Sequence, residues 1–486
     1  MVSARVSACL HAYFRREELA GTLLVAMPAI ALVPKLVLIL HTLGTSGAEI
    51  FDTGFGVGGY VRGLLSDGSF RSCGATPYLS CDPSLCVHAT RMPLLPMLYA
   101  GLAKILGTKS APIAIAKCVL TASLLTAFLW SLTRVVRFPA LAVLLAYALY
   151  LGPQVLKHGA SLEYEEGLLV ELEVCLGIAA AYLISPDFCV ERSMRTGLRT
   201  RTRTRTRTRM ALATIALATT LYFIKTTALP MLLVIIALVL SDRQLQVRSK
   251  GLAMLVVVIP FAAWAAHNYT TSGALHLSSS WNGENLYRGS SSEGLALYPE
   301  ISLDRIFDST QATLSDGRVV LLPDLTERQC FVNEWAWNDH YSSLARTWSQ
   351  EHMADAARFL GKKLWVSLVE LRHTPTRVAA EGQETEYPRA VSTVMFLWMG
   401  FARVMSLVLL ALLLRDVWQR RLRRSLWTLA LLGAGWAPYV LVFAYQRHVV
   451  PLLVTAGFFL LILYFGRPRE RAGTCPVFRV DGARKI

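Results

Sequence analysis

Charge is what this sequence is short of. Only 17% of its 486 residues are Asp, Glu, Lys or Arg, against 54% hydrophobic, and the mean hydropathy is +0.43. That balance excludes an ordinary soluble domain, in which about a quarter of the residues are charged. Acidic residues are the scarcer sign, 33 against 49 basic, for a formal net charge of +16. In a soluble protein this excess would suggest nucleic acid. In a membrane protein it reflects Lys and Arg held on the cytoplasmic side, so no nucleic-acid partner is expected. The nine cysteines include no C-x-x-C pair and no zinc-ligand spacing. No metal site is expected and no cofactor is required by the sequence, a divalent metal being left open. No internal repeat is visible. The start of the chain reads as a retained first span rather than a cleavable signal peptide.

What is there is a series of apolar runs, at 20–43, 112–133, 138–155, 166–185, 210–223, 227–241, 251–267, 391–414, 425–444 and 449–466. A bilayer-spanning helix needs about 20 apolar residues, so the fifth and sixth runs are short. Their junction, YFIKTTALP, holds Lys225 and Pro230 and reads as a broken or re-entrant pair. With the N-terminus inside, ten spans put Arg134 to Arg137, 186–209, 241–250, 415–425 and the C-terminal tail on the cytoplasmic side, and each of these is basic. The expected fold is thus an all-α integral membrane protein of about ten transmembrane helices with both termini cytoplasmic. Its parts are an N-terminal core (1–267, with a first outer loop at 44–111), an extracytoplasmic block (268–390) and C-terminal transmembrane helices with a basic tail (391–486). Amphipathic helices are expected in the first outer loop. Stretches such as NEWAWNDHYSSLARTW suggest that the 268–390 block is a small helical cap. The alternating RTRTRTRTRTR at 199–209 reads as a low-complexity cytoplasmic loop whose charge fixes topology, with nucleic acid or anionic lipid head groups as the competing readings.

Residues 48–61, AEIFDTGFGVGGYV, contain Gly54, Gly56 and Gly59 in G-x-G-x-x-G spacing. A dinucleotide loop needs a strand before it and a helix after it, whereas a membrane span precedes this one. The glycines are better read as letting the chain turn sharply at the membrane surface, which leaves Asp52 as the residue of interest. Other polar sets fall on the same face: Arg91, the Glu163, Glu165 and Glu166 cluster, Lys225, and Arg447 with His448. Charged groups beside apolar spans are costly to bury and tend to mark functional cavities. A carboxylate can serve as general base toward a hydroxyl, and cations can hold a phosphate leaving group. Cys73, Cys81 and Cys86 cluster in the first outer loop, where Cys73 is expected to pair with Cys81 or Cys86.

The order of these motifs resembles the GT-C class of integral membrane glycosyltransferases, in particular the branch related to protein O-mannosyltransferases and aminoarabinose transferases. GGYVRGLLSDGSF followed by ATRMPLLPMLYAGLAKILG looks like that family's first extracytoplasmic loop. GASLEYEEGLLVELEV resembles the segment carrying a family glutamate, and QRHVVPLL its late Arg-Tyr-x-x-Pro motif. WAAHNYTTSGALHLSSSWNGENLYRG is the closest match, with Asn268 in its glycosylation sequon read as structural. The 291–390 stretch resembles nothing in the family. The resemblance implies transfer of a sugar from a polyprenyl-phosphate-linked donor to a lipid, glycan or protein acceptor, usually with inversion. The expected location is a bacterial inner membrane, with the site facing the periplasm.

On this reading Asp52 is the general base. Glu49 is the alternative, because the family's Asp-Glu pair is separated here. Lys225, Arg447 and His448 are the phosphate-side residues, and Arg91 positions the loop or the donor. Glu163, Glu165 and Glu166 orient sugar hydroxyls. Tyr60, Trp281, Asn282, Asn285 and Tyr287 line the sugar or acceptor side. His267 and Lys225 stand where the family commonly has arginine. The competing class is a lipid or lipid-linked sugar flippase. The one-sided carboxylates and the absence of a repeat weigh against it.

Overall fold

The computed structural model describes residues 2–44, 46–53, 56–73, 86–163, 165–184, 199–273, 275–314, 316–322, 331–369, 389–419, 422–442 and 445–468. The described residues are all-α apart from three two-stranded ribbons of two or three residues per strand. Helix α1 (Val2–Ile39) runs on through a π turn at Leu40–Gly44 and is followed by α2 (Val57–Ser66), α3 (Leu94–Leu106) and α4 (Ser110–Thr133). Then come α5 (Ala140–Tyr150), α6 (Pro153–Ala160), α7 (Glu166–Ile184), α8 (Arg199–Ile224), α9 (Leu229–Ser241) and α10 (Val247–Ser272). Five helices follow outside the long apolar runs: α11 (Asn282–Gly289), α12 (Ser292–Leu297), α13 (Arg305–Asp308), α14 (Glu334–Glu351) and α15 (Met353–Leu368). The chain returns through α16 (Arg389–Trp418), α17 (Leu422–Leu441) and α18 (Gln446–Leu460).

Among the described residues six helices are long and apolar enough to cross a membrane, so the protein is a multi-pass membrane protein: Glu18–Gly44, Ser110–Thr133, Glu166–Ile184, Val247–Ser272, Thr393–Trp418 and Arg447–Phe465. The run expected as one span at 138–155 is the pair α5 and α6, bent by 52°, which makes a seventh span if both halves cross together. Three other apolar runs are not free-standing spans by this measure. The 210–223 run is the second half of α8, the 227–241 run is the short α9, and the 425–444 run lies largely in α17, interrupted by Pro438. Helix α7 is buried along its whole length and packs on α4, α8 and α18, at the bundle centre. Helix α10 at the periphery exposes Leu252, Leu255, Val258 and Ile259. A helix apolar on both its buried and its outer faces suits a lipid solvent. Inside the bundle Lys35 meets Glu171, whose Oε1 also accepts from the Tyr150 hydroxyl at 3.0 Å.

The arginine–threonine repeat is a correction to the sequence reading. It was expected as a loop, but from Arg199 it is the first half of α8. Extending an existing helix is far cheaper than nucleating one, so the apolar 210–224 half supports it. A period of two also spreads arginines around a helix rather than stacking them on one face. Arg207 turns inward, where its Nε donates to Asp242 at 2.6 Å and its guanidinium reaches the Leu183 carbonyl at 3.1 Å. Arg205 and Arg209 are exposed.

Helix α14 packs across α11, and α15 packs against α17, which seats this helical group on the bundle. Gly283 and Gly289 permit close approaches here: a Cβ would collide with the Asn338 carbonyl at the first and the Val442 carbonyl at the second. Cys73 is bonded to Cys86, with Cα atoms 4.1 Å apart, across the antiparallel pair Ser72–Cys73 and Cys86–Val87. Cys81, the other expected partner, lies outside the described residues. Asn268 is fully buried and its amide donates to the His276 carbonyl at 2.7 Å, which gives the sequon residue a packing role.

Candidate functional site

A cavity of about 640 Å³ lies where the loop preceding α3, the segment entering α7, the break between α8 and α9, the α11–α14 group and the start of α18 meet. The segment entering α7 is short and tightly held. The Lys117 ammonium donates to the Ser161 carbonyl, Tyr99 Oη to the Leu162 carbonyl at 3.3 Å, and Ser161 Oγ accepts from Glu163 N at 3.1 Å. It brings Glu163, Glu165 and Glu166 to the wall. The break at Lys225 is a single 3-10 turn, Thr226–Ala228, and Pro230 stands at the start of the next helix, where its missing N–H costs nothing. It turns Lys225 to the same wall.

These groups form one network. Lys225 Nζ is 2.6 Å from Glu166 Oε1 and 3.5 Å from Glu165 Oε2. Burial opposes the charge on Lys225, but Glu166, Tyr439 and Glu165 outweigh it and hold its pKa above the ordinary value. Glu165 also meets the Arg91 guanidinium at 3.3 Å, which lies over the Trp281 ring 4.4 Å from its centroid. Burial lowers the Arg91 pKa and the Glu165 carboxylate pushes it back up. His448 Nε2 is 3.4 Å from Glu166, accepts from Arg447 Nε at 3.2 Å, and its ring stacks on Tyr439 at 5.2 Å. Asn282 Oδ1 accepts from the hydroxyls of Thr226 at 3.1 Å and Ser279 at 3.3 Å, which leaves its amide N–H groups aimed away from them.

Of the residues singled out in the sequence, Arg91, Glu163, Glu165, Glu166, Lys225, Trp281, Asn282, Asn285, Arg447 and His448 line this one cavity. Asp52, Glu49, Tyr60 and Tyr287 are not among its lining residues. Asp52 is exposed and accepts from Glu49 N at 3.0 Å, closing a capping box around the Ile50–Asp52 turn. Glu49 faces Lys109 at 3.6 Å. Tyr60 is fully buried, and its hydroxyl bonds to Thr90 through both Oγ1 at 2.8 Å and N at 2.9 Å, so it supports the strand of chain that carries Arg91. Burial pushes the Tyr60 phenol well above its usual pKa. Tyr287 packs among Tyr341 and Phe307, with centroids at 5.3 and 6.2 Å. Gly56, with φ 78°, takes the left-handed conformation that starts α2, and Gly59 lies against Ser72; Gly54 is outside the described residues.

Sequence reasoning missed the opposite wall. Glu284 and Arg288 form an ion pair, and Arg288 reaches Asp304 at 2.9 Å. Burial pushes the Glu284 carboxyl up, with Arg288 and the Trp281 indole N–H pulling it partly back. Asn338, Ser342 and Arg346 line the cavity from α14. Their spacing of four residues, one helical face, was readable in the amphipathic segment itself. Among the described residues no group of three or more His, Cys, Asp or Glu is placed to hold a metal ion.

Comparison with protein-family models, with curated proteins and with solved structures found no match.

Proposed function

We propose that this protein is a membrane glycosyltransferase of GT-C type, moving a sugar from a polyprenyl-phosphate-linked donor to a hydroxyl-bearing acceptor. One observation carries the reading. Carboxylates, cations, an indole and side-chain amides from separate stretches of the chain line a single cavity, which is the set of groups such a transfer needs. The topology that goes with it has ten spans, both termini in the cytoplasm and the cavity opening to the outside of a bacterial inner membrane. This rests on the one-sided distribution of Lys and Arg.

The base on this reading is Glu163. It is exposed on the cavity wall, and its carboxylate has no hydrogen-bond or ion-pair partner among the described residues. Glu165 and Glu166 are committed to Arg91 and Lys225. Asp52, closed into its own turn, keeps a structural role. The acceptor oxygen attacks the anomeric carbon as its proton passes to Glu163. The bond from that carbon to the phosphate oxygen breaks, and the electron pair leaves with polyprenyl phosphate. Lys225 and Arg447, with Arg91 behind them, stabilise the charge gathering on the phosphate, Glu165 and Glu166 fixing their positions. Asn282 and Asn285 bond sugar hydroxyls beside Trp281.

The test is a turnover assay with the purified protein in nanodiscs and a polyprenyl-phosphate-linked sugar. Polyprenyl phosphate should be released, and Glu163→Gln should lower the rate by roughly 10²–10⁴-fold, the usual contribution of a general base. Passage of intact donor across the bilayer without cleavage would replace the transferase with a flippase.

A further inference from the structure

The charged side chains of the cavity are unequally engaged. On one wall Arg91, Lys225, Glu165 and Glu166 are tied to one another. On the α14 side Arg288 is held between Glu284 and Asp304. Two lining groups stand apart from these networks. Glu163 is one. Arg346 is the other: it is exposed, lines the cavity from α14, and has no hydrogen bond, ion pair or ring contact among the described residues.

A guanidinium that faces a cavity and spends its donors on no protein group is available to a ligand oxyanion, which it can grip with two parallel N–H bonds. Its surroundings suit such a ligand. Ser342, one turn back on the same face of α14, lines the cavity as well. Asn338, a further turn back, accepts from Gly283 N through its side-chain Oδ1 at 2.9 Å and so fixes α14 against α11. The carboxylates that line the same side of the cavity, Glu284 and Asp304, are both committed to Arg288. Arg346 comes from the helical group above the bundle, whereas the phosphate-side cations come from the segments entering or breaking the membrane helices.

We propose that Arg346, with Ser342, forms an anion subsite for the acceptor, so that the acceptor is acidic: it carries a carboxylate or phosphate at a distance from the hydroxyl that Glu163 activates. This rests on the transferase reading above and adds to it the chemical class of the acceptor. Electrostatic matching of this kind selects among otherwise similar acceptors, because a neutral one leaves the arginine without its partner.

The experiment is calorimetric titration of the full chain in nanodiscs with three defined probes: methyl glucuronide for a carboxylate, glucose 6-phosphate for a phosphate, and methyl glucoside as the neutral control. Farnesyl phosphate is titrated separately as a stand-in for the donor head group. The unsubstituted protein should bind at least one acidic probe about tenfold or more tightly than the neutral one. Arg346→Gln should erase that preference and Arg346→Lys should keep part of it, while both leave farnesyl phosphate binding unchanged. Equal binding of acidic and neutral probes, no saturable binding of either acidic probe, or a preference that survives Arg346→Gln would overturn the proposal. Weakened farnesyl phosphate binding in Arg346→Gln would also overturn it, by assigning the arginine to the donor phosphate. Because binding is read without turnover, an Arg346-dependent acidic preference alongside absent polyprenyl phosphate release would count against the transferase reading and not against the subsite.

Discussion

At the scale of single residues, the cavity separates groups that are free to act from groups that hold one another in place. Asp52 and Glu163 are the sharpest contrast, since both are exposed carboxylates beside apolar segments. The oxygen of Asp52 is occupied by the backbone N–H of Glu49. Asp52→Asn, which keeps an acceptor oxygen, should leave turnover near that of the unsubstituted protein, whereas Glu163→Gln should not; parallel rate measurements on the two variants decide it. Lys225 is the opposite case, a nearly buried cation held by Glu166, whose side chain is only 4% exposed. Removing one partner of a buried pair strands the other, at a cost of about 3–5 kcal/mol. Lys225→Met should therefore unfold at lower temperature, and adding Glu166→Gln should recover much of the loss. A double variant no more stable than Lys225→Met would show that the pair is not the cause.

At the scale of elements, the start of α14 joins three segments. Asn333 caps the helix by accepting from Trp335 N at 3.0 Å and Ala336 N at 2.9 Å. The next residue, Glu334, is buried and accepts from His88 N at 2.8 Å, Ala89 N at 3.0 Å and the Ser280 hydroxyl at 2.8 Å. Ser280 N in turn donates to the Ala89 carbonyl at 2.8 Å. The segment carrying Arg91 and the one carrying Trp281 are thus fastened to each other by a carboxylate from neither. Glu334→Ala strands two backbone N–H groups and should cost about 1–3 kcal/mol for each that stays unsatisfied. Burial pushes the Glu334 carboxyl above its ordinary pKa, only partly offset by its hydrogen bonds to His88, Ser280 and Ala89. The folded state therefore keeps a proton that the unfolded chain has already released, and stability falls as pH rises from the ordinary carboxylate range through the raised value, then levels off. Glu334→Gln, which keeps an acceptor but cannot ionise, should flatten that part of the pH–stability curve and be tolerated at neutral pH. A slope unchanged in the glutamine variant would assign it to another group.

At the scale of the whole molecule, topology is the open measurement. Reporter fusions after Lys250 and after Lys485 should both read cytoplasmic if basic segments are retained inside. An external signal at either would undo the proposed ten-span arrangement and with it the sidedness proposed for the cavity. What the sequence by itself determined about this protein is what adds up along the chain: low charge, long apolar runs and the placing of Lys and Arg. Each is a sum over a window, and membrane insertion depends on such sums. The disulfide was half legible, because three neighbouring cysteines name the candidates while only the pairing of Ser72–Cys73 with Cys86–Val87 selects one. Helix length in the arginine–threonine repeat was not legible, since it depends on the apolar half of α8 and on Asp242 receiving Arg207. The cavity was legible as a list of residues and not as a place. Only the tertiary structure decided that Glu163 faces it while Asp52 does not, and that a wall from α14 completes it with Arg346. The physical reason is that convergence depends on angles, such as the 52° bend between α5 and α6 that swings the segment entering α7 and the turn at Thr226–Ala228 that aims Lys225. A local window can mark where the chain breaks, as Pro230 does, but the direction each bend takes depends on packing between distant helices.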